Sequence, residues 1–506
     1  MGGWITIIGE VPDFNDRLAG FQRIFSVEGV PDLRVETHQH SNQARTVAWA
    51  WNKFHVPDVY VQETDQGDIC VLCGAVTDLG HYGVIQSEPE LTAVRVLDLW
   101  VQHQDKLIEQ LNGSFSCLFY DEKTNYVTLF TDRFASRSVW FTEENGIWIV
   151  GNYPSAIATF KKSKPKINPV GLWSLFNTGR HVGGQGLYAN IHCLSAGENV
   201  ILTVGKQTER GQWHRRKYQP DHKVTPREWG RRISQTLQAS SSRLHKTCAK
   251  PHIFLSGGLD SRVAAAAFGK PLKSVSLCTK PNAETRLASM VSKALGIDHE
   301  IIIRSPYWYL DTLNAAALIS SGNFLTCHTH FIVPASHIAS TSQDAEFLLG
   351  DLLENLNKHY FTLPNGHQLA YGPENMKTIL HTSVPYSMKD IHRLGVYFKE
   401  EIRSRIEEAY MEALQYYTRS LLEVSEDDAD RLDTFLRWPL VSPLNGNCEP
   451  VKPNISCEKR GLGIYKEIIA CFPKLGYKIP SPLPSNPRKV AMAGQAARKS
   501  TGIHRI

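Results

Sequence analysis

Short apolar runs separated by turn-forming residues fill the chain up to about residue 205. The runs are rich in valine, isoleucine and aromatic residues: WITIIG, DVYVQ, ICVLCGAV, FSCLFYD, YVTLFTD, GIWIVG and NVILTV. Runs of this length and composition are typical of strands in sheets that pack face to face. Two helices are predicted among them, one over 99–111 that Asp98 would cap and one over 169–176.

From residue 225 onward, strand-like and helix-like patterns alternate. A helix over 226–244 comes first. Buried strands follow at 252–256, 274–278 and 299–303, separated by an alanine-rich helix and by a second helix that Gly296 would close. Alternation of this kind predicts a parallel, doubly wound sheet.

The two patterns predict an α/β protein with two domains. The first would span residues 1–205 and the second residues 225–506. The stretch 206–224 between them is polar, basic and without a clear period, and we interpret it as a linker. A length of 506 residues agrees with two or three domains of ~100–200 residues each.

Composition narrows the class of protein only slightly. Apolar residues at 42% and charged residues at 21% are ordinary for a globular protein, and a net charge of +5 is small for this length. The ten cysteines are scattered, which indicates reduced thiols rather than a disulfide framework. No apolar run reaches ~18 residues and no secretory signal pattern is present, so we expect a cytoplasmic protein without a membrane partner.

The most informative residues form a loop between an apolar strand and a helix N-terminus. The loop reads LSGGLDSR, from Leu255 to Arg262. Two adjacent glycines allow backbone N–H groups to approach an anion closely, and the helix directs its positive end to the same place. Ser256 and Ser261 add hydroxyl donors, and Asp260 is a carboxylate suited to Mg²⁺. The loop is neither a Walker loop nor a GxGxxG loop, because the Lys-Ser/Thr pair and the third glycine are absent.

SGGLDS after a strand resembles the PP-loop of the ATP pyrophosphatases, which holds the pyrophosphate of ATP. Further segments resemble the asparagine-synthetase branch of that superfamily, which includes β-lactam synthetases and lasso-peptide cyclases. They are Glu284 with TRLASMVSKALGIDHE, the run LGDLLENL at 349–356 with Tyr360 after it, TDRFASR at 131–137, and the amidotransferase-like stretches LNGSFSCLFYD and HCLSAGENVIL.

The resemblance implies a fold and a set of site residues. The front would be an Ntn-type αββα sandwich of the class II glutamine amidotransferase kind, and the rear a PP-loop synthetase domain. The implied cofactors are ATP and Mg²⁺, and the implied substrates are a small-molecule or peptide carboxylate with ammonia or an amine. A homodimer is the candidate assembly. The phosphate-binding residues would be Leu255, Ser256, Gly257, Gly258, Leu259, Asp260, Ser261 and Gly350, and the metal ligands Asp260 and Glu354.

The chain departs from that family in its front domain. Complete members have a cysteine after the initiator methionine, and its own α-amine serves as base. Here Gly2 and Gly3 carry no thiol or hydroxyl. The family's Asn-Gly pair for oxyanion stabilisation would fall at Cys73-Gly74, without the amide donor. We therefore expect a retained scaffold domain that does not hydrolyse glutamine.

The second phosphate loop also departs, because Leu352 and Leu353 stand where the family has glycines. Asp351 lies where asparagine synthetases carry an acid and β-lactam synthetases a tyrosine. It could deprotonate an attacking ammonium or amine, or it could be an acid in a surface turn. Lys474, in PKLGY, resembles a family lysine that stabilises negative charge during acyl transfer. This stretch could equally be an amphipathic helix and its exit.

Three functions remain open at this stage. The first is an amide-forming ligase that adenylates a carboxylate and releases AMP and pyrophosphate, a chemistry also used in natural product biosynthesis. The second is a PP-loop enzyme acting on RNA through the basic linker and the tail PRKVAMAGQAARKSTGIHRI, although the amidotransferase-like front argues against nucleic acid. The third is an inactive scaffold. Cys70 and Cys73 lack a second pair at zinc-like spacing, so no zinc site is predicted.

Overall fold

The structure is a computed structural model, and most of the chain up to residue 348 is described in it. The described residues are 3–9, 13–25, 33–40, 45–52, 59–83, 85, 89–161, 163–178, 181, 184–203, 208–214, 223–323, 331–342, 345–348, 400, 404–406, 408–409, 411–412 and 471.

The front part of the chain forms short strands with helices between them, as the apolar runs predict. In chain order the elements are β1 (Gly3–Ile8), α1 (Phe14–Phe25), β2 (Leu33–His40), β3 (Arg45–Asn52), β4 (Val59–Glu63), β5 (Ile69–Asp78), α2 (Pro89–His103), α3 (Asp105–Ile108), β6 (Asn112–Asp121), β7 (Tyr126–Thr131), β8 (Trp140–Glu144), β9 (Ile147–Gly151), α4 (Pro154–Phe160), α5 (Pro169–Thr178), β10 (His192–Cys193), β11 (Glu198–Leu202) and β12 (Glu209–Gln212).

These strands make two six-stranded antiparallel sheets, in the orders β10-β8-β9-β1-β3-β2 and β12-β11-β7-β6-β5-β4. Alternating side chains explain how the sheets stack. Trp4 of one sheet and Val71 of the other share a single buried core. Ile5 faces the opposite way and packs with residues of α1 and α4. Leu72 does the same against α2 and α3. The layers are therefore αββα, as predicted.

The rear part alternates helices and strands. Its elements are α6 (Pro226–Leu244), β13 (Lys250–Phe254), α7 (Leu259–Phe268), β14 (Lys273–Cys278), α8 (Ala283–Leu295), β15 (Asp298–Ile303), α9 (Trp308–Asp311), α10 (Leu313–Ser320), α11 (Ile332–Thr341) and β16 (Ala345–Leu348).

The four rear strands form a parallel sheet in the order β15-β14-β13-β16. Ile253 faces a core that includes residues of α6, α7 and α8. Phe254, the next residue, packs on the other face with Ile338 of α11. Helices on both faces make the sheet doubly wound, and this confirms the predicted fold class.

One predicted helix has different bounds. α2 begins at Pro89 and ends at His103, so Asp98 lies inside the helix and does not cap it. Proline suits the first position of a helix because its φ is already helical and its missing N–H would have no partner there. Gln104 has a positive φ of 47°, which is not helical, so α2 ends before it and α3 begins after it as a separate helix. The predicted helices at 169–176 and 226–244 are confirmed as α5 and α6.

Part of the predicted linker belongs to a sheet. Glu209–Gln212 form β12, which pairs antiparallel with β11, Glu198 opposite Gln212. The strand is polar because it lies at the sheet edge, and this is why its sequence shows no apolar alternation. The domain boundaries at 205 and 225 stay predictions. In the described part of the chain, no helix is long and apolar enough to cross a membrane.

Candidate functional site

The order of the parallel strands determines where a ligand can bind. The chain steps from β13 to β14 and β15 in one direction, and β16 then pairs on the opposite side of β13. In open α/β sheets, ligands bind in the crevice beyond the carboxyl ends of the strands at such a reversal. Ile253 of β13 is opposite Leu348, the last residue of β16. The loop that follows β13 therefore begins at the reversal point.

The glycine pair in this loop has a conformation that a larger residue would not tolerate. Leu255 is buried, and its N–H donates to the Val275 carbonyl at 2.8 Å, which extends the strand by one residue. Gly257 then adopts a φ of 75°, and a Cβ on it would lie 2.8 Å from Leu287 Cβ and 2.9 Å from the Glu284 carbonyl oxygen. Glycine is required here both by the positive φ and by the close approach of α8.

The hydroxyls of the loop hold its two ends together. Ser256 Oγ and Ser261 Oγ lie 3.2 Å apart, and the Ser256 N–H donates to Ser261 Oγ at 3.3 Å. The Gly258 N–H donates to Ser256 Oγ at 3.2 Å. Gly258 is the N-cap of α7 and makes no side-chain cap. The first-turn N–H groups of α7 therefore end at this loop, where an anion would be stabilised by them and by the helix dipole.

Three charged residues surround the loop. Asp260 lies in the first turn of α7 and is partly buried. Arg262 directly follows Ser261 and is 2% exposed. Its Nη2 donates to the Gly257 carbonyl at 3.0 Å. Burial lowers the pKa of Arg262 and raises the pKa of Glu284, whose backbone lines the loop from α8.

The structure brings one group of predicted site residues together. It consists of Leu255, Ser256, Gly257, Gly258, Leu259, Asp260 and Ser261, which form the loop and the first turn of α7. Gly350, Asp351, Glu354 and Lys474 lie outside the described residues, and their membership of the site stays a prediction. Arg262 belongs to the motif LSGGLDSR, but the sequence alone assigns it no role. The signal for it is that Arg262 is the only cation in LDSRVAAAAF, a helix whose later residues are all apolar.

The front domain holds its motif residues in structural roles. Asp132 is 3% exposed and accepts hydrogen bonds from the N–H groups of Phe115 at 3.1 Å and Phe134 at 2.8 Å, and from the Ser136 hydroxyl. It thereby ties the end of β7 to β6. Cys73 is buried in the core between the two sheets. Gly74 has a φ of 94°, and a Cβ on it would collide with a backbone carbonyl of β6.

The described residues contain no cluster of three or more His, Cys, Asp or Glu side chains that could hold a metal ion. Cys70 packs with residues of α2, whereas Cys73 faces the core between the sheets. Residues three apart in a strand point to opposite faces, so these two thiols do not converge on one ion.

Comparison with known proteins agrees with the two-part architecture. Residues 90–215 match a glutamine amidotransferase domain family, and residues 232–330 match the asparagine synthase family. Among curated proteins, the chain is 23% identical over 267 residues to asparagine synthetase [glutamine-hydrolyzing] 3 of Bacillus subtilis. That alignment covers 47% of this chain and 42% of the relative, so the chain matches less than half of that protein's length.

Two solved structures match the chain at low similarity. The allosteric regulatory enzyme of purine biosynthesis matches with a TM-score of 0.28 and 9% identity, over 60% of this chain and 81% of that one. The NMN synthetase of Francisella tularensis matches with a TM-score of 0.21 and 16% identity, over 52% of this chain and 100% of that one. Scores this low carry no argument about activity.

The two domain matches follow one another along the chain in the order of the two layered folds described above, and the Bacillus relative is itself an asparagine synthetase. The chain therefore carries a segment similar to glutamine amidotransferase domains, followed by a segment similar to asparagine synthases.

Proposed function

We propose that this protein is an ATP-dependent carbon–nitrogen ligase that adenylates a substrate carboxylate and transfers the acyl group to ammonia or an amine. The observation that carries the proposal is the loop from Leu255 to Ser261. It combines a positive-φ glycine, uncapped N–H groups of α7 and two hydroxyls at the point where the strand order reverses. An anion of several oxygens, such as a triphosphate, fits these donors.

The proposed reaction has two steps. A carboxylate oxygen of the substrate attacks the α-phosphorus of ATP, the bond from that phosphorus to the bridging oxygen breaks, and pyrophosphate leaves. The nitrogen nucleophile then attacks the acyl carbon, loses a proton, and displaces AMP. The loop holds the leaving pyrophosphate in line, which is the main help that a protein can give to phosphoryl chemistry.

Mg²⁺ fits the loop by the chemistry of its donors. Asp260 offers carboxylate oxygens in the first turn of α7, and Mg²⁺ prefers oxygen ligands shared with phosphate. We propose Glu354 as the second carboxylate. When bound, the ion would neutralise charge on the phosphate oxygens. Asp260 has the task of fixing that position relative to the loop.

The remaining roles are assigned to residues that follow β16. Leu348 ends β16 opposite Ile253, two residues before Leu255, so β16 ends at the same edge of the sheet as β13. This supports Gly350 as a second phosphate contact and Asp351 as the base that takes the proton from the attacking nitrogen. We propose that Lys474 stabilises negative charge in the acyl-transfer transition state.

We propose further that the nitrogen does not come from glutamine. β1 offers Thr6 as its only hydroxyl or thiol, and that side chain is 3% exposed. Cys73, at the position of the family's oxyanion amide, is buried in the core between the sheets. Neither residue presents a nucleophile or an amide donor to a substrate. Free ammonia or an amine then serves as nucleophile, an arrangement suited to specialised metabolism in the cytoplasm.

The test is to incubate the protein with ATP, Mg²⁺, ammonium and pooled small-molecule and peptide carboxylates, and to identify the nucleotide product by mass spectrometry. We expect AMP and pyrophosphate. The variant Asp260→Asn should lose AMP formation by at least a hundredfold without a change in circular dichroism. Asp298→Asn, at the opposite end of the sheet in β15, is the matched control and should keep full activity.

Other products would contradict the proposal. ADP instead of AMP would exclude adenylation. Release of glutamate from glutamine would exclude the proposed nitrogen source. Absence of ATP–pyrophosphate exchange with every carboxylate, alongside proven ATP binding, would favour an inactive scaffold. Binding of tRNA with a log-linear dependence on salt would favour an RNA-directed enzyme.

A further inference from the structure

Arg262 occupies a position that is unfavourable for a cation. It lies in the first turns of α7 and has only 2% of its surface exposed. Burial penalises the charged guanidinium, and burial accordingly lowers its pKa. The positive end of the helix dipole repels it as well. A charge that is retained against both effects indicates a compensating negative partner or a structural task at this end of the helix.

The task is visible in one hydrogen bond. Arg262 Nη2 donates to the Gly257 carbonyl at 3.0 Å. The peptide bond from Gly257 to Gly258 is trans, so its C=O and N–H point in opposite directions. A carbonyl directed at buried Arg262 therefore turns the Gly258 N–H towards Ser256, whose hydroxyl is 3.2 Å from it and whose surface is exposed. The N–H thus lies on the open side of the loop.

Without this bond, the hydrogen bond from the Gly258 N–H to Ser256 Oγ would remain as a restraint on the orientation of the peptide. Gly257 and Gly258 have no side chains to restrict the rotation, and glycine populates positive and negative φ about equally. A rotated peptide would place the Gly257 carbonyl oxygen where the Gly258 N–H now lies. The loop would then present a partial negative charge to a phosphate in place of a donor, and phosphate binding would weaken.

The charges near the loop are consistent with an anionic ligand. Asp260 lies two residues before Arg262, in the first turn of α7. The backbone carbonyl of Glu284 lies beside Gly257, and desolvation raises the pKa of the Glu284 carboxyl. A polyphosphate would be attracted by both Arg262 and the α7 N-terminus.

We propose that Arg262 is a positioning residue that locks the Gly257–Gly258 peptide in the orientation that binds the pyrophosphate part of ATP. This inference rests on the proposed function of the loop. In this arrangement the Gly257–Gly258 peptide, which Arg262 orients, binds the β- and γ-phosphates of ATP and not the adenosine.

The experiment measures affinities for α,β-methylene-ATP, inorganic pyrophosphate and AMP by calorimetry. Arg262→Gln should weaken the affinities for the ATP analogue and for pyrophosphate at least tenfold. The affinity for AMP should stay within twofold of the wild-type value. Arg262→Lys keeps the charge with a single donor group and should give an intermediate loss. In turnover assays the loss should appear in KM for ATP more than in kcat. Arg232→Gln, an exposed arginine paired with Glu228 on α6, is the matched control and should change none of these values.

Each outcome decides the matter. Equal losses for AMP and pyrophosphate, or wild-type affinities in both Arg262 variants, would overturn the role of Arg262 while leaving the ligase proposal in place. A wild-type protein that binds neither the ATP analogue nor pyrophosphate would overturn both. If Arg262→Gln does not fold, Arg262→Lys is the test: a selective loss of pyrophosphate affinity supports the role of Arg262, and no selective loss overturns it. Failure of both variants to fold would show that Arg262 serves the fold alone.

Discussion

Asp132 shows how a single motif residue can serve the fold. Its carboxylate is buried between the ends of β6 and β7 and accepts hydrogen bonds from Phe115, Phe134 and Ser136. Burial raises its pKa from an ordinary 3.8 to about 6, and the hydrogen bonds oppose this rise only in part. The charged form is therefore less stable in the folded protein than in the unfolded chain.

This residue predicts a pH dependence of stability. Since the folded pKa is the higher one, the stabilising effect of the bound proton is fully present below about pH 4 and is lost as the pH rises through about 6. The loss amounts to at most ~3 kcal/mol. Asp132→Asn does not titrate, so the difference in unfolding free energy between wild type and variant should change by that order between pH 4 and pH 7. Urea unfolding at a series of pH values measures it.

Asp121→Asn is the control for Asp132→Asn. Asp121 is the last residue of β6, in the same sheet, and its carboxylate accepts from the Thr124 N–H at 2.8 Å. Its variant keeps Asp132 and should therefore keep the pH-dependent change that Asp132 produces. Parallel curves for wild type and Asp132→Asn would contradict the prediction.

Among the elements, α8 joins the site to the fold most directly. Its N-terminus carries a capping box, in which Asn282 accepts from the Thr285 N–H and Thr285 accepts from the Asn282 N–H, each at 3.0 Å. Gly296 ends it in the left-handed conformation, as the sequence predicts. The first turns of the helix then lie against Gly257, so the capping of α8 and the shape of the phosphate loop are linked.

We therefore expect Asn282→Ala to act at two places. Loss of the cap should cost ~1 kcal/mol of unfolding free energy. Fraying of the first turn should also loosen the wall beside Gly257 and weaken pyrophosphate binding by a few-fold. Chemical unfolding and calorimetric titration measure the two effects. Asn314 is an exposed asparagine inside α10, and Asn314→Ala is the control that should change neither quantity. If Asn282→Ala lowers stability without changing the affinity for pyrophosphate, the link between the cap and the loop is contradicted.

At the scale of the whole molecule, the front and rear parts meet at a small polar contact. The Ser321 hydroxyl, just after α10, accepts from the Ser155 N–H at 2.9 Å and donates to Ser155 Oγ at 2.6 Å. Gly322 adopts a φ of 76°, and a Cβ there would lie 2.5 Å from Leu187 Cδ2. The contact is buried at Ser321, which is 2% exposed.

Ser321→Ala should reduce the coupling between the two parts. Removal of a buried hydrogen-bonding group leaves the Ser155 N–H without this acceptor and should cost ~1–2 kcal/mol. We expect faster hydrogen exchange at Ser155 and a wider separation of thermal transitions in scanning calorimetry. Ser320→Ala is the control, because the Ser320 hydroxyl donates to Ala317 within its own helix. Indistinguishable behaviour of the two variants would contradict the coupling.

Local sequence patterns were sufficient to predict those elements whose formation depends on residues close together in the chain. Seven of the front strands, helices α5 and α6, and the Gly296 end of α8 were predicted, because strand alternation, N-caps and left-handed glycines depend on neighbouring residues. The front strands without a predicted run are β2, β3, β8, β10 and β12. Prediction failed where distant contacts decide. Asp98 has the chemistry of a cap, yet it lies inside α2, whose start at Pro89 depends on packing against the sheet. β12 is too polar to be recognised and forms only because β11 offers an unpaired edge.

The sequence by itself determined the chemistry of the phosphate loop, because SGGLDS between a strand and a helix specifies glycines, hydroxyls and a carboxylate in a short span. Only the tertiary structure decided the rest. The reversal of strand order between β13 and β16 puts the loop at a crevice, α8 requires Gly257 to be a glycine, and buried Arg262 orients the peptide that follows it. The physical reason is that these effects arise from atoms brought together by packing, which the spacing of residues along the chain does not encode.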